Sequence, residues 1–157
     1  MAATRVELSL STEALAQPEV VANWLQLNAN TADRAAAQYQ LQQAQLAEQA
    51  GDWSAVAQAL SESARHFPAP ATLVAYAEAR LHELANRSAK PDATMEQDAL
   101  SRIGNLYQSA LAANRVLSVL SDQALQTLTS QANCLDAYLA KRPVQTPCRP
   151  LQIYQKQ

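Results

Sequence analysis

Residues 38–68, QYQLQQAQLAEQAGDWSAVAQALSESARHFP, constrain the fold more than any other stretch of the chain. They read as a helix that stops at Gly51, an Asp52-Trp53 corner, a second helix and a proline stop at Pro68. Glycine enters the left-handed conformation past a helix end without penalty, and aspartate accepts hydrogen bonds from the first free amides of the next helix. A pair of helices joined this way leaves one face uncovered unless a neighbour stacks on it. The expectation is a stack of helices or a bundle with a groove, which favours binding over chemistry.

The rest of the chain supplies the same material. Thirty-three of 157 residues are alanine, against one Phe and two Trp, so the core has to be built from Ala and Leu. Both head the helix-propensity scale, and two glycines leave little for hairpin turns. The predicted class is all-α: an antiparallel stack with a C-terminal hairpin, or alternatively an irregular bundle. A single domain of this length buries roughly 70% of its unfolded surface, so neither a metal nor a cofactor is needed to hold it, and none is implied.

Periodicity and capping residues set the expected order. Residues 1–17 form an N-terminal arm, in which the alternation of Val6, Leu8 and Leu10 suits a short extended segment, with a flexible end as the other reading. Pro18 suits a first helical turn, and the first helix runs to Asn28. Asn30 or Thr31 caps a second helix that ends before Gly51, and Asp52 caps a third that ends at Phe67 and Pro68. Pro70 opens a fourth, ending near Arg87. Residues 88–92, SAKPD, form a linker with Asp92 as the next cap. Ile103, Leu106, Ala110, Ala113, Leu117 and Leu120 then mark one apolar stripe, and Leu125, Leu128, Ala132, Leu135 and Leu139 a second. The break between them falls at Ser121-Asp122, with Ser121 as cap, or earlier at Asn114. Gly104 inside the fifth helix predicts a close crossing or a kink. The helical domain covers 18–142, and 143–157 is a proline-rich tail.

Charge and motifs exclude several function classes. The net charge is −2, with acids and bases scattered singly, so no basic patch suits a phosphate backbone and nucleic acid is not an expected partner. No apolar run approaches the ~18 residues of a membrane span, and the amino terminus lacks a signal pattern. The chain is then cytosolic, or a mature exported form. Cys134 sits near a helix end and Cys148 in the tail, within reach of each other once the chain turns back. A disulfide there implies an oxidising, extracytoplasmic compartment; two unrelated thiols are the other reading. Neither the cysteines nor His66 and His82 have zinc-site spacing. Nucleophile-elbow, metalloprotease and phosphate-loop motifs are absent, leaving only Glu48 or Glu78 as lone acids for an envelope enzyme. Trp24 and Trp53 are expected in the core, with Tyr39, Tyr76, Tyr107 and Tyr138 at core edges, hydroxyls wet, or one or two of these tyrosines anchoring a partner.

The Gly51-Asp52-Trp53 corner, with Pro68 placed 17 residues after the glycine, resembles the tetratricopeptide repeat. With Gly51 at the turn, the unit covers 37–70; Ala44, Leu60 and Ser63 fall on the small, large and small positions of the family's two helices. Gln40 and Gln43 depart from it, standing where large apolar residues are usual. A second unit from Ala71 fits loosely through Val74, Ala77 and Leu81, with its turn at Ala85. The resemblance implies a concave groove lined by the first helix of each unit, and a non-enzymatic adaptor that binds another protein or peptide there. An inhibitor or immunity-type protein that plugs a partner enzyme is the alternative.

Gln38, Gln42, Gln45 and Gln49, spaced four, three and four apart, share one stripe of the second helix, with Arg34 one turn earlier. The matching positions of the second unit are Thr72, Tyr76, Ala79 and Glu83. Amides both donate and accept, so this groove would pair with peptide backbone without charge selection. A solvated face of good helix formers is the competing reading of the stripe.

Overall fold

The computed structural model describes residues 9–87 and 92–155. Among them the chain is all-α, with a short 3-10 turn, Glu13–Ala16, followed by seven helices. These are α1 (Pro18–Asn28), α2 (Arg34–Gln49), α3 (Trp53–His66), α4 (Pro70–Ala85), α5 (Ala93–Leu117), α6 (Asp122–Leu139) and α7 (Arg149–Tyr154). No described helix is long and apolar enough to cross a membrane. Most of the 88–92 linker and the Val6 and Leu8 positions of the arm lie outside the described residues.

Local chemistry sets the helix ends. Asp52 Oδ1 accepts from the Ala55 amide at 3.1 Å, Asp92 Oδ1 from Met95 at 2.8 Å and Ser121 Oγ from Ala124 at 3.1 Å. Gly51 has φ +71°, the left-handed value its place requires. The cap of α2 is Asp33, whose carboxylate accepts from the Ala36 amide at 2.9 Å, and not Asn30 or Thr31. Thr31 is already committed to a turn, its backbone and hydroxyl both donating to the Asn28 carbonyl, so the helix starts two or three residues later than expected. Both candidate breaks after α5 take part in one junction. Asn114 stays helical and buried, and its Oδ1 accepts from the Val119 and Leu120 amides just past the helix end.

Consecutive helices pack side by side: α2 on α3, α3 on α4, α4 on α5, and α5 on α6 as the expected hairpin. α1 returns to cover α5, and α7 docks on α4. The core is Ala and Leu, with Leu15, Leu25, Leu73, Leu81, Leu100 and Leu135 almost wholly enclosed. Ser63 ties the first pair together: fully buried, its hydroxyl donates to the Ala37 carbonyl at 2.8 Å. The segment read as an arm is core from Leu10 on. The Leu10 amide donates to the Arg65 carbonyl, Arg65 Nε donates back to the Leu10 carbonyl, and Ala14 and Leu15 are buried.

Cys134 and Cys148 form a disulfide with Cα atoms 5.9 Å apart. It secures the start of α7, whose Leu151 and Ile153 are buried, so the proline-rich tail carries a docked helix. Arg149 on that helix donates to both carboxylate oxygens of Glu78, at 2.6 and 3.2 Å.

Tyr107, expected at a core edge with a wet hydroxyl, is wholly enclosed, and among the described residues its hydroxyl has no hydrogen-bond partner. Desolvation, reinforced by the Glu78 carboxylate, raises its pKa above the ordinary 10.0. The folded chain therefore holds a proton that the unfolded chain releases near pH 10. This titration leaves the stability unchanged below that pH and lowers it as pH rises above it. Tyr107→Phe removes both the titration and an unsatisfied buried hydroxyl. The variant should be about 1 kcal/mol more stable at neutral pH, and its melting temperature should fall less than that of the wild type above pH 10, as thermal denaturation at both pH values will show.

Candidate protein-binding surface

α2 is a helix with one packed side. Ala37, Leu41 and Ala44, at steps of four and three, face α3, and among the described residues α3 is its one principal neighbour. Gln38, Gln42, Gln45 and Gln49 are all exposed, as a stripe rotated about 100° from the packed one must be. Further round lie Tyr39 and Leu46, 58% and 59% exposed, seven residues apart and so on one line of the helix. Only Arg34 and Glu48 are charged in the whole helix. The outward side of α2 is thus three turns of amides flanked by an aromatic and an aliphatic side chain.

Arg34 is exposed but engaged: its guanidinium lies over the Phe67 ring, 4.1 Å from the centroid, and links the start of α2 to the corner after α3. The remaining candidates do not join the stripe. Thr72 is buried, 6% exposed, and presents no surface to a partner. Tyr76, 9% exposed, and Glu83 border a cleft of about 690 Å³ whose walls come from the Glu13–Ala16 turn, α3, α4 and α5, with no residue from α2. The single groove expected from the first helices of two units is therefore not formed, because α3 stands between α2 and α4 and packs on both.

Within that cleft Glu83 receives Arg80 at 2.8 Å and the Ser54 hydroxyl at 3.1 Å. Tyr76 has its pKa raised by burial, opposed by Arg80 and reinforced by Glu83 and Glu13. Its phenol stays neutral at physiological pH. A second cleft, about 610 Å³ and mostly apolar, runs between α4 and α6 past Val74, Ala75, Ala124 and Leu128. Glu78 borders it, held by Arg149. Glu48 is exposed on α2.

Among the described residues no group of three His, Cys, Asp or Glu side chains is placed to hold a metal ion. Trp53 and His82 stack face to face, centroids 3.7 Å apart and planes within 6°, closing the corner between the start of α3 and the end of α4. The exposed pair Tyr39 and Leu46 escaped the reading of the sequence as a unit. Their seven-residue spacing was visible, but only the one-sided packing of α2 shows that none of the described residues covers it. No protein-family model matches the chain, and no curated protein or solved structure matches it.

Proposed function

We propose that the chain is a non-enzymatic interaction module that binds another protein through the outward side of α2. The observation that carries this reading is the exposure of Tyr39 and Leu46 beside four exposed glutamines on a helix packed along one side only. Aromatic anchors ringed by uncharged polar groups are the composition of binding hot spots, whereas a merely solvated helix would ordinarily mix charges into such a face. The α2–α3 pair, cornered at Gly51 and tied through Ser63, supports reading 37–70 as a tetratricopeptide-like unit. The Cys134–Cys148 bond supports an extracytoplasmic setting.

Quantitative capture from an extract of the source cells tests the surface. The intact chain is compared with one carrying Gln→Ala at 38, 42, 45 and 49, and with Tyr39→Ser/Leu46→Ser. Both variants alter exposed positions and should melt within about 0.5 kcal/mol of the wild type. Loss of a specific partner from both is the expected outcome, and undiminished capture by both would remove α2 from the binding surface.

A further inference from the structure

The glutamine stripe reads the same in both directions. Positions 38, 42, 45 and 49 are symmetric about the point between residues 43 and 44. A two-fold axis through that point, perpendicular to the helix, would place Gln38 against the other helix's Gln49 and Gln42 against its Gln45, twice over. Each contact would be amide to amide, and each amide donates as well as accepts, so the stripe is complementary to itself. A face of one charge sign would repel its own copy. This one carries none.

The remaining residues of α2 fit the same arrangement. Its two charges have opposite sign and stand at opposite ends, Arg34 at the start and Glu48 near the finish. Antiparallel alignment brings unlike ends and opposed helix dipoles together, while parallel alignment brings like with like. Tyr39 and Leu46 then approach each other across the axis, within about 3 Å along the helix at 1.5 Å per residue. This gives both exposed apolar side chains a partner.

We infer that α2 is the contact face of an antiparallel, two-fold symmetric pair of this chain, in which a second copy is the occupant. This rests on the reading of α2 as a protein-binding face and names its partner. Isologous contacts of this kind are the commonest among soluble oligomers. The stripe spans about 16 Å, so the interface is at or below the ~1,200 Å² of stable complexes, and the pair exchanges with monomer at a Kd on the order of 10–100 µM.

Sedimentation equilibrium of the intact, oxidised chain should give a mass that climbs from 17.0 kDa toward twice that value as concentration rises through this range. Two exposed-site variants test the register. Q42K/Q45K sets like charges opposite each other across the axis and should stay monomeric, with a Kd raised at least tenfold. Q42K/Q45E sets opposite charges there and should retain or tighten the pair. A wild-type mass fixed at 17.0 kDa up to about 1 mM overturns the proposal, as does identical behaviour of the two variants. A chain that stays monomeric yet loses a captured partner on Tyr39→Ser/Leu46→Ser would overturn self-pairing and leave the binding face to a different protein.

Discussion

Reducing the Cys134–Cys148 bond should destabilise the protein by about 3 kcal/mol, the chain-entropy value for a loop of roughly 15 residues. For a chain of 157 residues that corresponds to a fall in melting temperature of about 6–12 °C. The effect should be concentrated at one end of the molecule. Cys148 is the residue before α7, a helix of six residues, far below the length at which a helix persists alone. What holds α7 is the burial of Pro150, Leu151 and Ile153, the Arg149–Glu78 pair and the disulfide. The ion pair is more than half exposed on its arginine side, so it contributes little by itself. Without the covalent tie, the ordering of the 140–148 loop falls on three buried apolar side chains. Denaturant melts with and without reductant give the total, and hydrogen exchange at the amides of 151–155 shows whether α7 opens first. Coincident melts would mean that α7 is held by its own packing and that the bond is dispensable to the fold.

The features legible before any coordinates were those written in short-range chemistry. Pro18, Gly51, Asp52, Pro70, Asp92 and Ser121 each act on a backbone group within four residues, and each marks the helix end expected of it. The start of α2 was misplaced because three cap-competent residues, Asn30, Thr31 and Asp33, compete there, and the turn from Asn28 to Thr31 decides among them. Burial of Leu10 and Leu15 and the docking of α7 depend on partners 50 to 80 residues away, which no local pattern announces.

The candidate surface divides along the same line. Exposure of the four glutamines follows from helical geometry once Ala37, Leu41 and Ala44 are assigned to the packed side. Their separation from Tyr76 and Glu83 does not, since it depends on α3 lying between α2 and α4. Repeat geometry assumes that the first helices of successive units meet. Here the α3 side chains Ser54, Ala57, Gln58 and Ser61 face the cleft that Tyr76 and Glu83 border, and α2 is left on the far side.

Truncating Leu135 to alanine should cost about 3 kcal/mol, within the 2–5 expected for a buried leucine, because the site it leaves cannot collapse. Leu135 is fully enclosed on α6, and one of its methyls lies 3.8 Å from where a Cβ on Gly104 of α5 would stand. The facing helix offers no side chain at that point to move into the void. The same geometry predicts the opposite sign for Gly104→Ala. Its added methyl would meet Asp136 Oδ1 at 3.6 Å, Leu139 Cδ1 at 3.7 Å and Leu135 Cδ2 at 3.8 Å, all ordinary van der Waals contacts. The gain in helix propensity, about 1 kcal/mol, is then unopposed, and the crossing keeps its spacing. The two changes share one space, so they should couple. In Gly104→Ala/Leu135→Ala the methyl partly fills the cavity, and the pair should be less destabilised than the sum of the singles by about 0.5–1 kcal/mol. A double-mutant cycle from urea denaturation measures this directly. Strict additivity would show that Leu135 is held by other neighbours, and a destabilising Gly104→Ala would show that α5 and α6 approach more closely there than contact distances allow.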